Sequence, residues 1–410
     1  MTSTRIPGRR LLNAPGPTGI PDEVLDAMHR QSMDLADPRV TDVIADCEAG
    51  LRWLCGTADA TPFTYIANGH GAWEAVIENL VPPGGVVLVP GSGHFSDSWA
   101  AHVEALGRRA LRTPWREGHP IDVDAVEQVL RADGLDEIVA VFAVQTDTAS
   151  GITSDVDALR QAIDAAGHPA LFVVDAVASL GALPLAMDAQ RIDVLLGASQ
   201  KGLMMPPGLA FVVANAAAQA VAARHPHPRH YWDWRLRAGP MPYHKFCGTA
   251  PLHLLFGLRA ALGLLQQETL PAVHARHRRL AGAVHAAIEA WREGGVINFF
   301  CHVPAARSVS VTAVLVRQGA PGAVDPEELR TVARERFQVG VAGGLGPLAG
   351  RVFRIGHLGD LNEAEVLGAL GGIEAAMHAL GVPCGQGVSR AAAFLAAGDQ
   401  GETVSTQSNR

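Results

Sequence analysis

"DAVASLGALPLAMDAQRIDVLLGASQKGLMMPPGLAFV" (175–212) carries three short apolar runs. "ALFVVDAV" (170–177) leads into it, "DVLLGA" (193–198) crosses it and "LAFVVAN" (209–215) leaves it. Each run is apolar at odd and even positions alike, which predicts strands of a sheet buried on both faces. Upstream, "FTYIAN" (63–68), "GVVLVP" (85–90) and "EIVAVFAVQ" (137–145) repeat the pattern, with helical stretches between them. Such alternation predicts an α/β fold with a mostly parallel sheet. In open sheets of this kind ligands bind at the carboxyl ends of the strands. The chemically unusual residues of this sequence fall there.

Lys201 stands just beyond "DVLLGA", among Gly197, Ala198, Gly202, Leu203 and Met204. A lysine there either reaches out to solvent or is desolvated enough to act as an amine nucleophile, as Schiff-base formation requires. Small and apolar neighbours favour the second reading. Asp175 ends another apolar strand 26 residues earlier. It accepts from nearby backbone amides or pairs with a buried cation on a ligand, and the small residues Ala176 to Gly181 leave room above it. "ANGHGAWEA" (67–75) is a strand, a Gly-rich turn and a helix start. Asn68, Gly69, His70 and Gly71 could hold a phosphate on free helix amides, or be a plain tight connection. Arg354 in "RVFRIGHLG" (351–359) is an arginine within an apolar strand. It needs an anion, either a substrate carboxylate or a structural partner. Together, a phosphate cradle, a ring-nitrogen carboxylate and a Schiff-base lysine are the parts pyridoxal phosphate requires, and the arginine completes an amino-acid site.

The remaining chain divides around this region. A Pro/Gly-rich arm (1–20) precedes "PDEVLDAMHRQSMDLA" (21–36), where Pro at the first turn and early acids predict a helix. A large cofactor-binding domain is expected over 21–255. A connecting helix and a smaller α+β domain follow over 256–385, with "SVSVTAVLVRQ" (308–318) and "RVFRIGHLG" as strands and 362–381 as the last helix. From 386 a partly disordered tail is expected, ending in the polar "GDQGETVSTQSNR" (398–410). At 410 residues, two domains are the prior. A net charge of −8, with no basic cluster interleaved with aromatics, argues against nucleic acid. Five cysteines without metal-ligand spacing suit reduced thiols, and no metal site is expected. With no apolar signal core and no membrane-length apolar run, a soluble cytoplasmic protein is expected.

From "LLNAPGPTGIPDEVLDAM" to "GLGPLAGRVFRIGHLGDLNEAEVLGAL" the sequence resembles the class V aminotransferases of PLP fold type I, the aspartate-aminotransferase-like fold. It is most similar to their serine–glyoxylate and alanine–glyoxylate branch. The resemblance implies a homodimer, or a tetramer built from it, with cofactors near the subunit boundary. It also implies transfer of an amino group from serine or alanine to a 2-oxo acid such as glyoxylate or pyruvate. Lys201 matches the cofactor-bearing lysine, Asp175 the pyridine-nitrogen partner, and Gly69, His70 and Gly71 the phosphate turn. Thr148 matches a hydroxyl beside the cofactor and Gln200 the residue before the lysine. Val177 and Phe95 match the two sides of the ring slot, and Arg354 the substrate-carboxylate arginine. Thr249 resembles a hydroxyl reaching the neighbouring subunit's phosphate. Phe246 stands where relatives carry a tyrosine, with Tyr243 the candidate to replace it. "QTDTASG" (145–151) departs from the glyoxylate enzymes' "HxESSTG"-like segment, which leaves the amino donor open.

The competing readings are weaker. A cysteine desulfurase needs a reactive cysteine on a mobile loop, and neither Cys301 nor Cys384 lies in a Gly/Ser-rich one. A nucleotide-binding oxidoreductase wants GxGxxG and leaves Lys201 unexplained. A non-catalytic cofactor-holding regulator leaves Arg354 without a task. Pyridoxamine–pyruvate transamination uses the same architecture and stands as the alternative.

Overall fold

The computed structural model describes residues 7–225, 227 and 229–398. Seven strands form the main sheet: β1 (Thr61–Ala67), β2 (Val86–Val89), β3 (Arg109–Arg112), β4 (Ile138–Val144), β5 (Leu171–Asp175), β6 (Val194–Ala198) and β7 (Gly208–Ala214). Their order is β1-β7-β6-β5-β4-β2-β3. All run parallel except β7, which is antiparallel to both β1 and β6. Strand alternation sends side chains to two separate cores. Phe172, Val174, Leu195, Phe211 and Val213 enter one, and Leu171, Val173, Leu196, Val212 and Ala214 the other. Each fully buried Phe or Leu contributes about 1.5–3 kcal/mol, so register is firmly set wherever both faces are covered.

The helix expected over 21–36 is only Asp22–Met28 (α1). Arg30, Gln31 and Ser32 point to water, so no apolar face continues. A new helix, α2 (Pro38–Cys55), starts where Asp37 caps the amide of Arg39 and Pro38 occupies the first turn. Helices α3 (Gly69–Leu80) and α4 (His94–Ala105) cover one face of the sheet. The boundary expected at 255 falls inside α5 (Leu252–Glu268). Phe256, Leu262 and Leu265 stay in the main-sheet core, and the core changes along α6 (Leu270–Trp291) between Val273 and Leu280.

A second, antiparallel sheet follows: β8 (Ile297–Phe299), β9 (Val311–Val316), β10 (Ala342–Gly343) and β11 (Val352–Gly356), in the order β8-β9-β11-β10. Helix α7 (Glu363–Ala379) packs on it, opened by an Asn362/Glu365 capping box. The tail expected from 386 is corrected over Gly387–Ala396, which form α8 against α6. Ala391 and Leu395 are buried there, and Gly282 leaves space for the Phe394 ring. Of the polar stretch 398–410, only Gly398 lies within the described residues.

The N-terminal arm joins the two sheets. Leu11–Leu12 pair with Val339–Gly340, and Asn13 O accepts from Gly356 N at 2.6 Å. Thr18 N then donates to Gln200 O. No helix of the described residues is long and apolar enough to cross a membrane.

Candidate active site

The carboxyl ends of β1, β4, β5 and β6 converge on a cleft of about 330 Å³. Its lining brings together Asn68, Gly69, His70, Phe95, Thr148, Asp175, Val177, Gln200 and Lys201, all expected from the sequence.

The turn after β6 answers why a lysine stands there. Its peptide oxygen accepts from Met204 N (2.9 Å) and Thr18 Oγ1 (3.1 Å), while Ser199 Oγ donates to Pro206 O at 2.7 Å. Gly202 lies so close to Leu180 O that a Cβ would sit 2.2 Å from it, so only glycine fits beside the lysine. Lys201 Nζ donates to Pro15 O at 2.5 Å. Burial pushes the amine down to about 8, helped by the positive charge of Arg354 and opposed by Asp175.

Asp175 ends β5 as a buried carboxylate. Oδ1 accepts from Val177 N (2.8 Å) and Oδ2 from Trp73 Nε1 (2.7 Å). Burial raises its carboxyl to about 6. Those two hydrogen bonds and Lys201 oppose the rise, and the charge of Asp147 adds to it. Asn68 caps α3, its Oδ1 accepting from His70 N (3.1 Å) and Gly71 N (3.4 Å). Gly71 does not line the cleft. It packs against Ala67 and Trp232 instead.

Arg354, on β11, lies just behind the lining. Its Nε donates to Gly343 O (2.6 Å) and Nη1 to Thr148 O (2.8 Å), and burial pushes it down to about 10. Among the described residues it forms no ion pair, so its partners are carbonyls and not the structural carboxylate considered above. Tyr243 and Thr249 are not brought to this cleft. Tyr243 is 61% exposed, and Thr249 borders a separate open groove with Met33 and Leu254. Phe246 is buried in the main core.

The family model "Aminotransferase class-V" matches residues 10–345. The serine–glyoxylate aminotransferase of Methylorubrum extorquens is 38% identical over 96% of this chain and 98% of its own. The L-aspartate–glyoxylate aminotransferase of Paracoccus denitrificans is 36% identical over 92% and 94%. The chain belongs to the class-V aminotransferase family. It is a pyridoxal-phosphate-dependent transaminase of PLP fold type I. Among solved structures, the pyridoxamine–pyruvate aminotransferase of Mesorhizobium loti superposes with a TM-score of 0.85. That match has 26% identity and covers 96% of this chain and all of that one.

Two parts of the cleft escaped the sequence reading. Trp73 lines it, yet a tryptophan in an amphipathic helix reads as core. Gly16 and Pro17 of the arm also line it, and the Pro15 contact is made by a backbone carbonyl, which no residue type announces.

Proposed function

We propose that this cleft holds pyridoxal phosphate through Lys201, Asp175 and the first turn of α3, and moves an amino group from serine or alanine to glyoxylate or pyruvate. The observation that carries the reading is a buried amine and a buried carboxylate at the ends of adjacent parallel strands, facing one cleft. The residues present suit the cofactor. Gln200 Oε1 is buried in the lining with no partner, a polar group that a ligand with polar edges satisfies. Asn68, Gly69 and His70 stand at the positive end of α3, where a phosphate is favoured. Phe95 and Val177 border the slot for a flat ring, with Thr148 at its edge.

When bound, pyridoxal phosphate supplies a carbon that takes up the amino group and a ring that accepts the electrons left at Cα. Asp175, ionised at neutral pH, holds the proton on the ring nitrogen. Lys201 Nζ would hold the cofactor and, freed as a neutral amine, would take the proton from the donor's Cα and deliver it to the cofactor carbon that takes up the amino group. Arg354, held by the Gly343 and Thr148 carbonyls through Nε and Nη1, would meet the donor carboxylate with the remaining edge of its guanidinium and so fix the direction of the Cα–H bond. Thr249 and Tyr243, facing outward, complete the phosphate end of a neighbouring subunit's cleft in a homodimer. The free cysteines accord with a cytoplasmic enzyme. The division into a large cofactor-binding domain and a small C-terminal one is part of this reading, with the change-over along α6.

A second reading, with pyridoxamine as donor and pyruvate as acceptor, is favoured by the likeness to the Mesorhizobium loti enzyme. Absorbance of the purified holoenzyme, titrated separately with L-serine, L-alanine and pyridoxamine, separates the two. Conversion by one amino acid names the donor, and conversion by pyridoxamine alone establishes the second reading. Lys201→Ala should bind the cofactor yet lose turnover by about 100-fold or more. Full activity in that variant refutes the assignment.

A further inference from the structure

We propose that Trp73 is a positioning residue that holds the Asp175 carboxylate, through its indole N–H, in the orientation that pairs with the ring nitrogen of the cofactor. The proposal rests on the reading of Asp175 given above. Trp73 and Asp175 are both buried, and the Nε1–Oδ2 distance is 2.7 Å. An indole nitrogen only donates, and its hydrogen bond is stronger to the ionised carboxylate than to the neutral acid, so this contact favours the anion. The second oxygen is held separately by Val177 N. Two donors on two oxygens stop rotation about the terminal torsion, which a single donor would leave free. The lone pairs that remain then stay turned to the cleft.

The indole itself is immobilised. It stacks on Trp99 with centroids 5.4 Å apart and planes at 11°, and Trp99 stacks on Phe142 at 4.6 Å and 17°. Phe95 meets the Trp73 ring edge-on at 6.3 Å, and the His70 ring lies 4.6 Å away at a tilt of 54°. Within this same stack, Trp99 Nε1 is buried with no partner. Packing alone therefore does not supply an indole with an acceptor here, and the Trp73 bond is a particular arrangement. The charged groups around Asp175 are Lys201 and Asp147, whose effects on it are opposite in sign. The directed N–H is the neutral contact that adds to Val177 N in favouring the anion.

The test compares two cofactors on the apo-enzyme: pyridoxal phosphate, and its analogue in which the ring nitrogen is replaced by C–H. Trp73→Phe keeps an aromatic ring and removes the donor. It should raise the Kd for pyridoxal phosphate about tenfold, the lower end for a hydrogen bond to a charged group, and that for the analogue less than about twofold. Replacing Trp73 with benzothienylalanine, which keeps the indole outline without the N–H, should give the same difference even where the Phe variant fails to fold. Equal weakening of both cofactors would mean that Trp73 only fills space, and unchanged affinity for pyridoxal phosphate would also overturn the proposal. Asp175→Asn is the control on the underlying reading. If it does not weaken pyridoxal phosphate more than the analogue, the role of Asp175 itself is wrong, whatever Trp73 does.

Discussion

The amine of Lys201 provides the sharpest quantitative expectation. Burial and Arg354 hold it near 8, against about 10.4 for an ordinary lysine. At pH 7.5 about a quarter of the molecules then carry the free amine, against roughly a thousandth otherwise, a gain of about 190-fold in the attacking form. Stopped-flow absorbance of apo-enzyme mixed with pyridoxal phosphate reads the capture rate directly. The rate should climb about ninefold between pH 6 and 7 and about fivefold between 7 and 8, and above 8 it should level off. Two substitutions move the bend in opposite directions. Arg354→Leu removes the neighbouring positive charge and shifts it upward, while Asp175→Asn removes the negative one and shifts it downward. A rate still rising tenfold per unit beyond pH 9.5 would refute the claim that Lys201 is desolvated. Shifts of the same sign in both variants would refute the claim that these charges tune it.

Two further outcomes follow from other parts of the molecule. Gly16→Ala would place a Cβ 2.6 Å from Lys201 Cδ, Cε and Nζ at a φ of +132°, so it should slow cofactor capture more than tenfold and cost about 1–3 kcal/mol of stability, read by urea unfolding. Burial pushes His277, His285 and His357 down to about 4, 3 and 4. Each folded value lies below the unfolded one near 6.5, so the unfolded chain binds protons first. Stability is therefore intact above pH 6.5 and falls as pH drops toward 4, by up to about 1.4 kcal/mol per pH unit for each histidine. Thermal melts from pH 7 to 5 should show that slope, and His285→Gln should flatten it.

How much of this was readable before the structure depends on where each residue keeps its partners. The central strands were legible because both of their faces are apolar and the runs are short and rich in Val, as strands of a doubly covered sheet are. Strand β3, "RALR", was not, because it forms the sheet edge and exposes its arginines. Helix α8 was illegible for a different reason. Its stability comes from Gly282 making space for Phe394 on a helix about 110 residues away, which local composition does not encode. In the cleft, Lys201 and Asp175 were visible as charges ending apolar runs, an expensive placement that calls for a use. Arg354 was visible for the same reason, though its carbonyl partners were not. Trp73 was hidden because tryptophan needs no explanation in a core.

The arm shows why a site of this kind is more than its titratable residues. Asn13 O takes its hydrogen bond from Gly356, two residues beyond Arg354, and Thr18 holds the backbone oxygens of Gln200 and Lys201. Between them Pro15 offers its carbonyl to the lysine amine, and Gly16 leaves the space that the lysine side chain occupies. Six residues thus tie the strand bearing the arginine to the turn bearing the lysine. The nearness of the two cations lowers the charge on the amine and, on the proposed reading, would also set the span across which a substrate carboxylate and its Cα must fit. A change in the arm that leaves every charged residue in place therefore reaches both terms at once, through backbone groups that a comparison of side chains alone would overlook.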